Sequence, residues 1–454
     1  MSAAASAQQA AATHLAATAK PLGWAVLVLF VVSCVLAALE ERTGLRKSKP
    51  VMLAATLTWA MIAWVVRGDP AKSALVASAF EHAFLDYAEL FFFLVVSMTY
   101  VDAMVERGVF DALRAALARR GWSYRRLFWA TGLLAFALSS VLNNLTTALV
   151  VSAVVLAAGA GNPRFVAMCC VNLVVAANAG GAWSAFGDIT TLMVWQSHHV
   201  DFFEFLRLFV PALVNWLVPA LLMSLALPRG QPAAGDTKAT VKFGGTAICT
   251  LFAFTIGITV ISVQALKLPP VFGMLAGLAL LQGLAFLIRV REPAYAEPDV
   301  YPAQARYDIF HIIARAEWDT LLFFYGVLLS VAGLATVGWL DFASRQTYHH
   351  LGPTAANTIL GMVSAIVDNI PIMSAVLQMN PTMDHTQWLL VTLACGVGGS
   401  LLSIGSAAGI ALMGAARGQY GFASHLRWSW AIALGFVASV LVHLALNLPS
   451  GARP

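Results

Sequence analysis

Apolar segments long enough to cross a lipid bilayer recur along most of this sequence. Because lipid offers the backbone no hydrogen-bond partners, apolar runs of about twenty residues cross as helices. Hydrophobic residues make up 60% of the chain and charged residues only 11%, which excludes a water-soluble domain. The sequence therefore predicts an all-α polytopic membrane protein. The uninterrupted runs lie near residues 22–39, 50–66, 80–105, 205–227, 243–264, 270–290, 319–341 and 428–447.

Four further apolar segments are interrupted in the middle. Residues 123–160 and 353–379 have polar centres, which suit a re-entrant helical hairpin, whereas residues 164–196 and 387–415 have glycine-rich centres, which suit a discontinuous helix. If each hairpin returns to its own side, either half of the chain makes an odd number of crossings, so the second half is inverted. With the amino terminus outside, most of the 27 Lys and Arg residues lie on the inner side, as the positive-inside rule requires.

The two halves also match each other in sequence. Glu89 corresponds to Asp319 at an offset of 230 residues, the polar centres correspond at 225, and Gly180 corresponds to Gly398 at 218. An offset that shrinks in chain order indicates two inverted-topology repeats with loops of different length. The predicted organisation is a disordered N-terminal tail (1–21), a first membrane repeat (22–227), a cytoplasmic linker (228–242), a second membrane repeat (243–447) and a C-terminal tail (448–454).

The polar centres of the predicted hairpins carry the first functional signal. The first tip, residues 139–144, reads Ser-Ser-Val-Leu-Asn-Asn, and the second tip, residues 364–369, reads Ser-Ala-Ile-Val-Asp-Asn. Polar side chains at bilayer depth are costly, so their repetition indicates a binding site. An unwound tip exposes oxygens that suit a hard monovalent cation, but it also presents helix amino ends that suit an anion. The tips alone leave the sign of the substrate open.

Carboxylates at the same depth favour a cation. Asp368 lies in the second tip, Asp188 at the break of the first discontinuous helix, and Glu89 and Asp319 on repeat-related spans. Lys and Arg are confined to loops and span ends, so no base is expected where an anion would bind. Carboxylates that hold either a cation or a proton give exchange by competition. Simple helix capping remains an alternative for Asp188 and Asp368, as does an interfacial position for Asp319.

Other classes of protein lack support in the sequence. The five cysteines show no CxxC or Cys/His spacing, so neither disulfides nor zinc are expected. There is no HExxH or GxSxG motif, and an intramembrane enzyme is therefore disfavoured. The basic residues act as topology signals rather than as a nucleic-acid surface. The expected partners are small cations, protons and the lipid bilayer, with no cofactor.

These motifs together resemble an NhaD-type sodium/proton antiporter of the ion transporter superfamily. The resemblance rests on the two tips, on Asn-Ala-Gly-Gly-Ala-Trp-Ser-Ala-Phe-Gly-Asp at 178–188, and on Gly-Gly-Ser-Leu-Leu-Ser-Ile-Gly-Ser-Ala-Ala-Gly at 398–409. It extends over roughly residues 80–445. At the first tip this chain has Asn143-Asn144 where close members of the family carry Asp-Asn.

The resemblance implies a secondary transporter of the bacterial inner membrane. It would export Na⁺ or Li⁺ in exchange for H⁺ by alternating access, serve pH homeostasis and form a homodimer. The cation would be held by Asp368, Asn369, Asn143 and Asn144. A carrier of a dicarboxylate or of arsenite on the same fold remains the alternative. Glu89 joins the site through its carboxylate, and the positions that match the family's site are Ser139, Asn143, Asn144, Asp188, Thr190, Asp319, Ser364, Asp368, Asn369 and Ser403.

Overall fold

The computed structural model describes residues 15, 18, 20–118, 121–159, 161–231, 239–291 and 308–447. Most of the predicted N-terminal tail, the middle of the predicted linker and the predicted C-terminal tail lie outside the described residues. Within the described ranges every regular element is helical. Nine of these described helices are long and apolar enough to cross a membrane, which confirms the prediction of an all-α polytopic membrane protein.

The described part of the first half consists of helices joined by short connections. A 3₁₀ helix, Phe202–Leu208, precedes the last of them. The helices are α1 (Pro21–Ala38), α2 (Glu40–Thr43), α3 (Ser48–Val66), α4 (Pro70–Glu106), α5 (Val109–Ala118), α6 (Tyr124–Leu138), α7 (Asn144–Ala158), α8 (Pro163–Gly181), α9 (Ile189–Gln196) and α10 (Phe209–Leu225).

The second half has the same general succession. A short π-helix, Arg345–His349, leads into its first broken segment. The helices are α11 (Gly245–Leu266), α12 (Pro270–Arg291), α13 (Ile309–Ala314), α14 (Trp318–Val337), α15 (Trp339–Ser344), α16 (His350–Val363), α17 (Asn369–Met379), α18 (His385–Gly398), α19 (Ala407–Ala415), α20 (Phe422–Leu426) and α21 (Ser429–Asn447).

The helix ends follow local signals in the sequence. Helix α4 begins ten residues before the predicted span, because the Asp69 side chain accepts hydrogen bonds from the amides of Ala71 and Lys72 and Pro70 occupies the first helical position. Helix α14 ends before Gly338, whose φ of 99° lies in the left-handed region. Gly352, with φ of 74°, likewise interrupts the start of α16, so its regular part begins at Pro353, as predicted.

Helices α8 and α18 form the centre of the molecule. Helix α8 is buried along nearly its whole length, which is expected of a helix that is apolar on all sides. Helix α6 packs against α8 as α16 packs against α18, and across the halves α7 packs against α19 and α9 against α17. The helix that follows the polar interruption of one half therefore packs against the helix that follows the glycine-rich interruption of the other half.

Candidate functional site

Four helices begin at the interruptions predicted from the sequence. Helices α7, α9, α17 and α19 start directly after Asn143, Asp188, Asp368 and Ser406. Side chains of these types satisfy the free amides of a helix N-terminus. Asn143 accepts a hydrogen bond from the Thr146 amide at 2.7 Å, and Ser406 accepts one from the Gly409 amide at 3.3 Å. Asp188 also caps its helix, because its side chain accepts a hydrogen bond from the Ile189 amide. The capping that the sequence left open for Asp188 is therefore present, together with further contacts.

The Asp188 carboxylate joins the two halves of the chain. Asp188 is 5% exposed, and its Oδ1 accepts a hydrogen bond from the Ile189 amide at 2.8 Å. Its Oδ2 accepts one from the Thr190 hydroxyl at 2.9 Å and one from the Asn369 side-chain amide at 2.8 Å. Since Asn369 opens α17 beside the second tip, the broken helix of the first half and the tip of the second half meet at one carboxylate oxygen.

A second series of hydrogen bonds joins the halves, this time from the first tip to the glycine-rich break of the second half. Asn144 of the first tip donates its amide to the Asn178 side-chain oxygen at 3.0 Å, and Asn178 donates to the Ser400 hydroxyl at 2.9 Å. All three residues are buried. Asn178 and Ser400 were not among the predicted site residues, although both lie inside the glycine-rich strings on which the resemblance rests. Their burial could not be inferred from hydropathy alone.

Glycines let each tip contact the break of its own half. A side chain at Gly187 would collide with the carbonyl oxygen of Ser139 at 2.6 Å, and one at Gly405 would collide with the carbonyl oxygen of Ala365 at 2.6 Å. Only glycine permits an approach this close. The backbone carbonyls of both tips therefore lie next to the unwound segments that precede α9 and α19.

Several buried hydroxyls at the site have no protein partner. The Oγ atoms of Ser139 and Ser403 and the Oγ1 of Thr147 make no hydrogen bond among the described residues, although all three side chains are buried. A buried hydroxyl without a partner costs about 1–3 kcal/mol, so these oxygens fit a bound ion. Ser364 differs, because its hydroxyl donates to the Cys395 carbonyl at 2.9 Å and ties the second tip to α18.

Asp368 is in a different environment from Asp188. It is partly exposed and makes no capping hydrogen bond with α17. Its charge interacts with that of Asp188 and with the ammonium group of Lys47. Lys47 lies over the Phe323 ring, 5.0 Å from its centroid. Lys47, which directly precedes α3, therefore acts on the charge of Asp368, because α3 packs against α14. It lies at a span end, as expected, but the sequence did not anticipate that its charge would act on the second tip.

Two predicted acids lie away from the Asp188 cluster. The Asp319 carboxylate, at the start of α14, accepts a hydrogen bond from the Ser48 hydroxyl at 2.5 Å. Glu89 lines a separate cavity of about 360 Å³ between α4, α9, α14 and α17. The structure thus brings Asp188, Thr190 and Asn369 into direct contact and links Asn144 to Asn178, whereas Glu89 and Asp319 occupy separate positions.

Comparisons with known proteins give one consistent group of relatives. The citrate transporter family model, CitMHS, matches residues 34–396. The Na⁺/H⁺ antiporter NhaD of Halomonas elongata is 51% identical over 98% of this chain and 93% of its own. The NhaD proteins of Alkalimonas amylolytica and Vibrio cholerae are each 49% identical, over 96% and 95% of this chain and 93% of their own. The most similar of these relatives are thus named for sodium/proton exchange, and the broader family model for citrate.

Proposed function

This chain belongs to the NhaD family of sodium/proton antiporters, and we propose that Na⁺ and H⁺ compete for the buried cluster around Asp188. The protein is a multi-pass transporter of the bacterial inner membrane that exchanges Na⁺ for H⁺, and it is not an enzyme. The observation that carries the proposed site is the hydrogen bond from Asn369 to Asp188, which joins the two halves of the chain.

The atoms around Asp188 suit a small cation. The Asp188 carboxylate, the Ser139 carbonyl beside Gly187 and the unpartnered Ser139 hydroxyl are all oxygens, which are the ligands that hard cations prefer. Ser403 in the break of the second half has another unpartnered hydroxyl. Asn143, Asn144 and Asn369 add amide oxygens or orient the carboxylate, and they do not titrate at physiological pH. A citrate anion would instead be repelled by the buried Asp188 carboxylate, which has no basic side chain among its hydrogen-bond partners.

Exchange follows from the cost of an empty charged site. Ionised Asp188 is neutralised by Na⁺, and protonated Asp188 is neutral without it. Moving the unoccupied carboxylate through a medium of low dielectric constant is unfavourable. The site therefore changes sides with either Na⁺ or H⁺ bound, and Asp368 contributes a second carboxylate whose charge interacts with that of Asp188. Asp319 accepts a hydrogen bond from Ser48, and Glu89 lines the separate cavity. Both acids change the local electrostatic potential without contacting the cation at Asp188.

We also propose that the repeats 22–227 and 243–447 are inverted, with re-entrant hairpins at both tips and discontinuous helices α8–α9 and α18–α19. The equivalent pairs α6–α8 and α16–α18, and the crosswise pairs α7–α19 and α9–α17, support this proposal. A hairpin predicts that cysteines introduced by Arg125→Cys and Gly161→Cys react with an impermeant reagent from the same face. Labelling from opposite faces would mean two ordinary spans.

The family also implies a homodimer. We propose this state for the protein, and the mass of the protein in detergent tests it.

The proposed site is tested with purified protein in liposomes under an imposed pH gradient. We expect proton movement that depends on Na⁺ or Li⁺ between about pH 6 and pH 9, its loss in Asp188→Asn, and no uptake of labelled citrate. Asp111→Asn is the matched control, because Asp111 is an exposed carboxylate that pairs with Arg114 at 3.2 Å. Unchanged exchange in Asp188→Asn would contradict the site, and citrate uptake would contradict the substrate class.

A further inference from the structure

The cavity that contains Glu89 is separate from the Asp188 cluster and is itself a polar compartment. Its volume is about 360 Å³, and Leu90, Met193 and Leu328 form an apolar part of its wall. No lysine or arginine of the described chain lines it. Its polar lining is Asp86, Glu89, Gln196, Ser197, Ser374, Gln378 and Asn380.

Two half-helices connect this cavity with the proposed transport site. Helix α9 begins after Asp188 and ends at Gln196, and α17 begins after Asp368 and ends before Asn380. At 1.5 Å per residue these helices span about 12–16 Å. Helix C-termini carry free carbonyls and a negative partial charge. Both helices therefore add negative potential to a cavity that already holds two carboxylates.

The lining also contains two polar groups without a hydrogen-bond partner among the described residues. Ser374 is 2% exposed and lines the cavity, and its hydroxyl makes no hydrogen bond with any residue that the structure describes. The Nε2 atom of Gln196 is also buried and unpartnered in the described chain. The Ser374 hydroxyl oxygen can bind a cation or its water, and the Gln196 amide can donate to an oxygen of that water, so a hydrated cation suits both groups.

The cavity opens toward the face opposite the basic loops. The connections that follow α9 and α17 lie together, since His385 contacts Glu204 at 2.8 Å and His199 stacks on Trp388 at 3.9 Å between ring centroids. The sequence places this face outside. The titratable groups near the two acids are His82, which interacts with Asp86, and His198, which interacts with Glu89. Helices α9 and α17 carry none, and α14 contributes only Leu328 to the lining.

We propose that this cavity is an outer vestibule that binds monovalent cations, Na⁺ and hydrated protons, on their way to and from Asp188. The proposal rests on the sodium/proton exchange stated above and gives Asp86 and Glu89 a function at the entrance. Negative potential in a cleft raises the local concentration of cations and the rate at which they bind. In the exporting direction the vestibule takes up protons and releases Na⁺.

The test compares the two faces of the transporter in vesicles of known orientation. Asp86→Asn and Glu89→Gln are measured against Glu81→Gln, an exposed acid on the same helix that does not line the cavity. We expect the half-saturating Na⁺ concentration on the outer face to rise about fivefold in the first two variants, with no change on the inner face. Glu89→Asp and Asp86→Glu keep the charge and should behave as wild type.

A second measurement separates charge from structure. Choline chloride screens electrostatic attraction, so the difference between wild type and Asp86→Asn should shrink as its concentration rises. An equal rise in half-saturation on both faces, an unchanged value on the outer face, or a difference that is insensitive to salt would overturn the vestibule. A wild-type protein without sodium-dependent proton movement would instead refute the proposed function.

Discussion

Asp188 and Asp368 occupy comparable positions but differ in almost every contact. Both precede a half-helix, α9 and α17. Asp188 is buried and accepts hydrogen bonds from the Ile189 amide, the Thr190 hydroxyl and the Asn369 amide group. Asp368 is partly exposed, faces the amides of Asn369 and Ile370 without a capping bond of good geometry, and has Lys47 as a charged neighbour. One carboxylate is therefore held by three hydrogen bonds, and the other has a lysine as its charged neighbour.

The difference is arranged crosswise between the halves. Asp188 corresponds in sequence to Ser406, and Asp368 corresponds to Asn143. All four residues occupy N-cap positions, but each half supplies only one carboxylate, from its broken helix in the first case and from its tip in the second. The backbone framework repeats while the charge does not. Each acid thus lies at the N-terminus of its own helix, α9 or α17, whose partial positive charge offsets part of the repulsion between the two carboxylates.

The largest expected effect is that of Asp188→Asn. Asparagine caps helices about as well as aspartate, so the fold should persist while the charge is lost. We expect sodium-dependent proton movement to fall by about a hundredfold or more, because a buried charged contact is removed. Proteoliposome assays measure the rate, and thermal unfolding in detergent verifies the fold. Activity within about twofold of wild type would place the binding site elsewhere.

The next effect tests whether the charge can change tips. Asp368→Asn makes the second tip read like the first, and we expect a loss of about tenfold to a hundredfold in exchange rate. The double variant Asn143→Asp with Asp368→Asn moves the carboxylate to the first tip. Since Lys47 interacts with the charge of Asp368 in the second tip, the double variant should not recover wild-type exchange. Full recovery would mean that the position of the second carboxylate is unimportant.

Glycine variants test the shared framework. In Gly187→Ala and Gly405→Ala the new methyl group would collide with a tip carbonyl, and such overpacking costs about 1–3 kcal/mol. We expect a lower Tm in detergent for both variants and similar losses in the two. Gly414→Ala is the control, because its side chain would enter open space. A large loss at one glycine only would show that the halves do not share this contact.

The smallest expected effect is that of Lys47→Met. Without the nearby positive charge, Asp368 should hold both Na⁺ and H⁺ more tightly. The half-saturating Na⁺ concentration at alkaline pH should fall about threefold, and the acid limb of the pH profile should move to higher pH. Lys47→Arg keeps the charge and should resemble wild type, as should Lys49→Met at an exposed position. Opposite shifts of the two affinities would exclude direct competition at Asp368.

Much of the fold could be predicted from the sequence because hydropathy and helix breakers act locally. The limits of α1, α12 and α21 lie within a residue or two of the predicted runs. The early start of α4 was missed, although Asp69 and Pro70 form a recognisable helix start. The interruptions at Gly187 and Gly405 were anticipated because glycine and polar residues break apolar runs.

The contacts at the site were less predictable because they depend on packing between distant segments. Glu89 and Asp319 share an offset that identifies equivalent repeat positions, but equivalence does not imply proximity. Glu89 lines the vestibule, and Asp319 binds Ser48. The charge of Lys47 acts on Asp368 because α3, which Lys47 precedes, packs on α14. No local pattern in the sequence indicates such a contact.

The central claim is that Na⁺ and H⁺ compete for the same carboxylates. The most direct test is the half-saturating Na⁺ concentration of purified protein in liposomes, measured as a function of pH with the pH gradient held constant. Competition with one proton predicts that this concentration rises about tenfold for each pH unit on the acid side, with an unchanged maximal rate at saturating Na⁺. A half-saturating concentration that does not vary with pH, while the maximal rate falls, would contradict the claim.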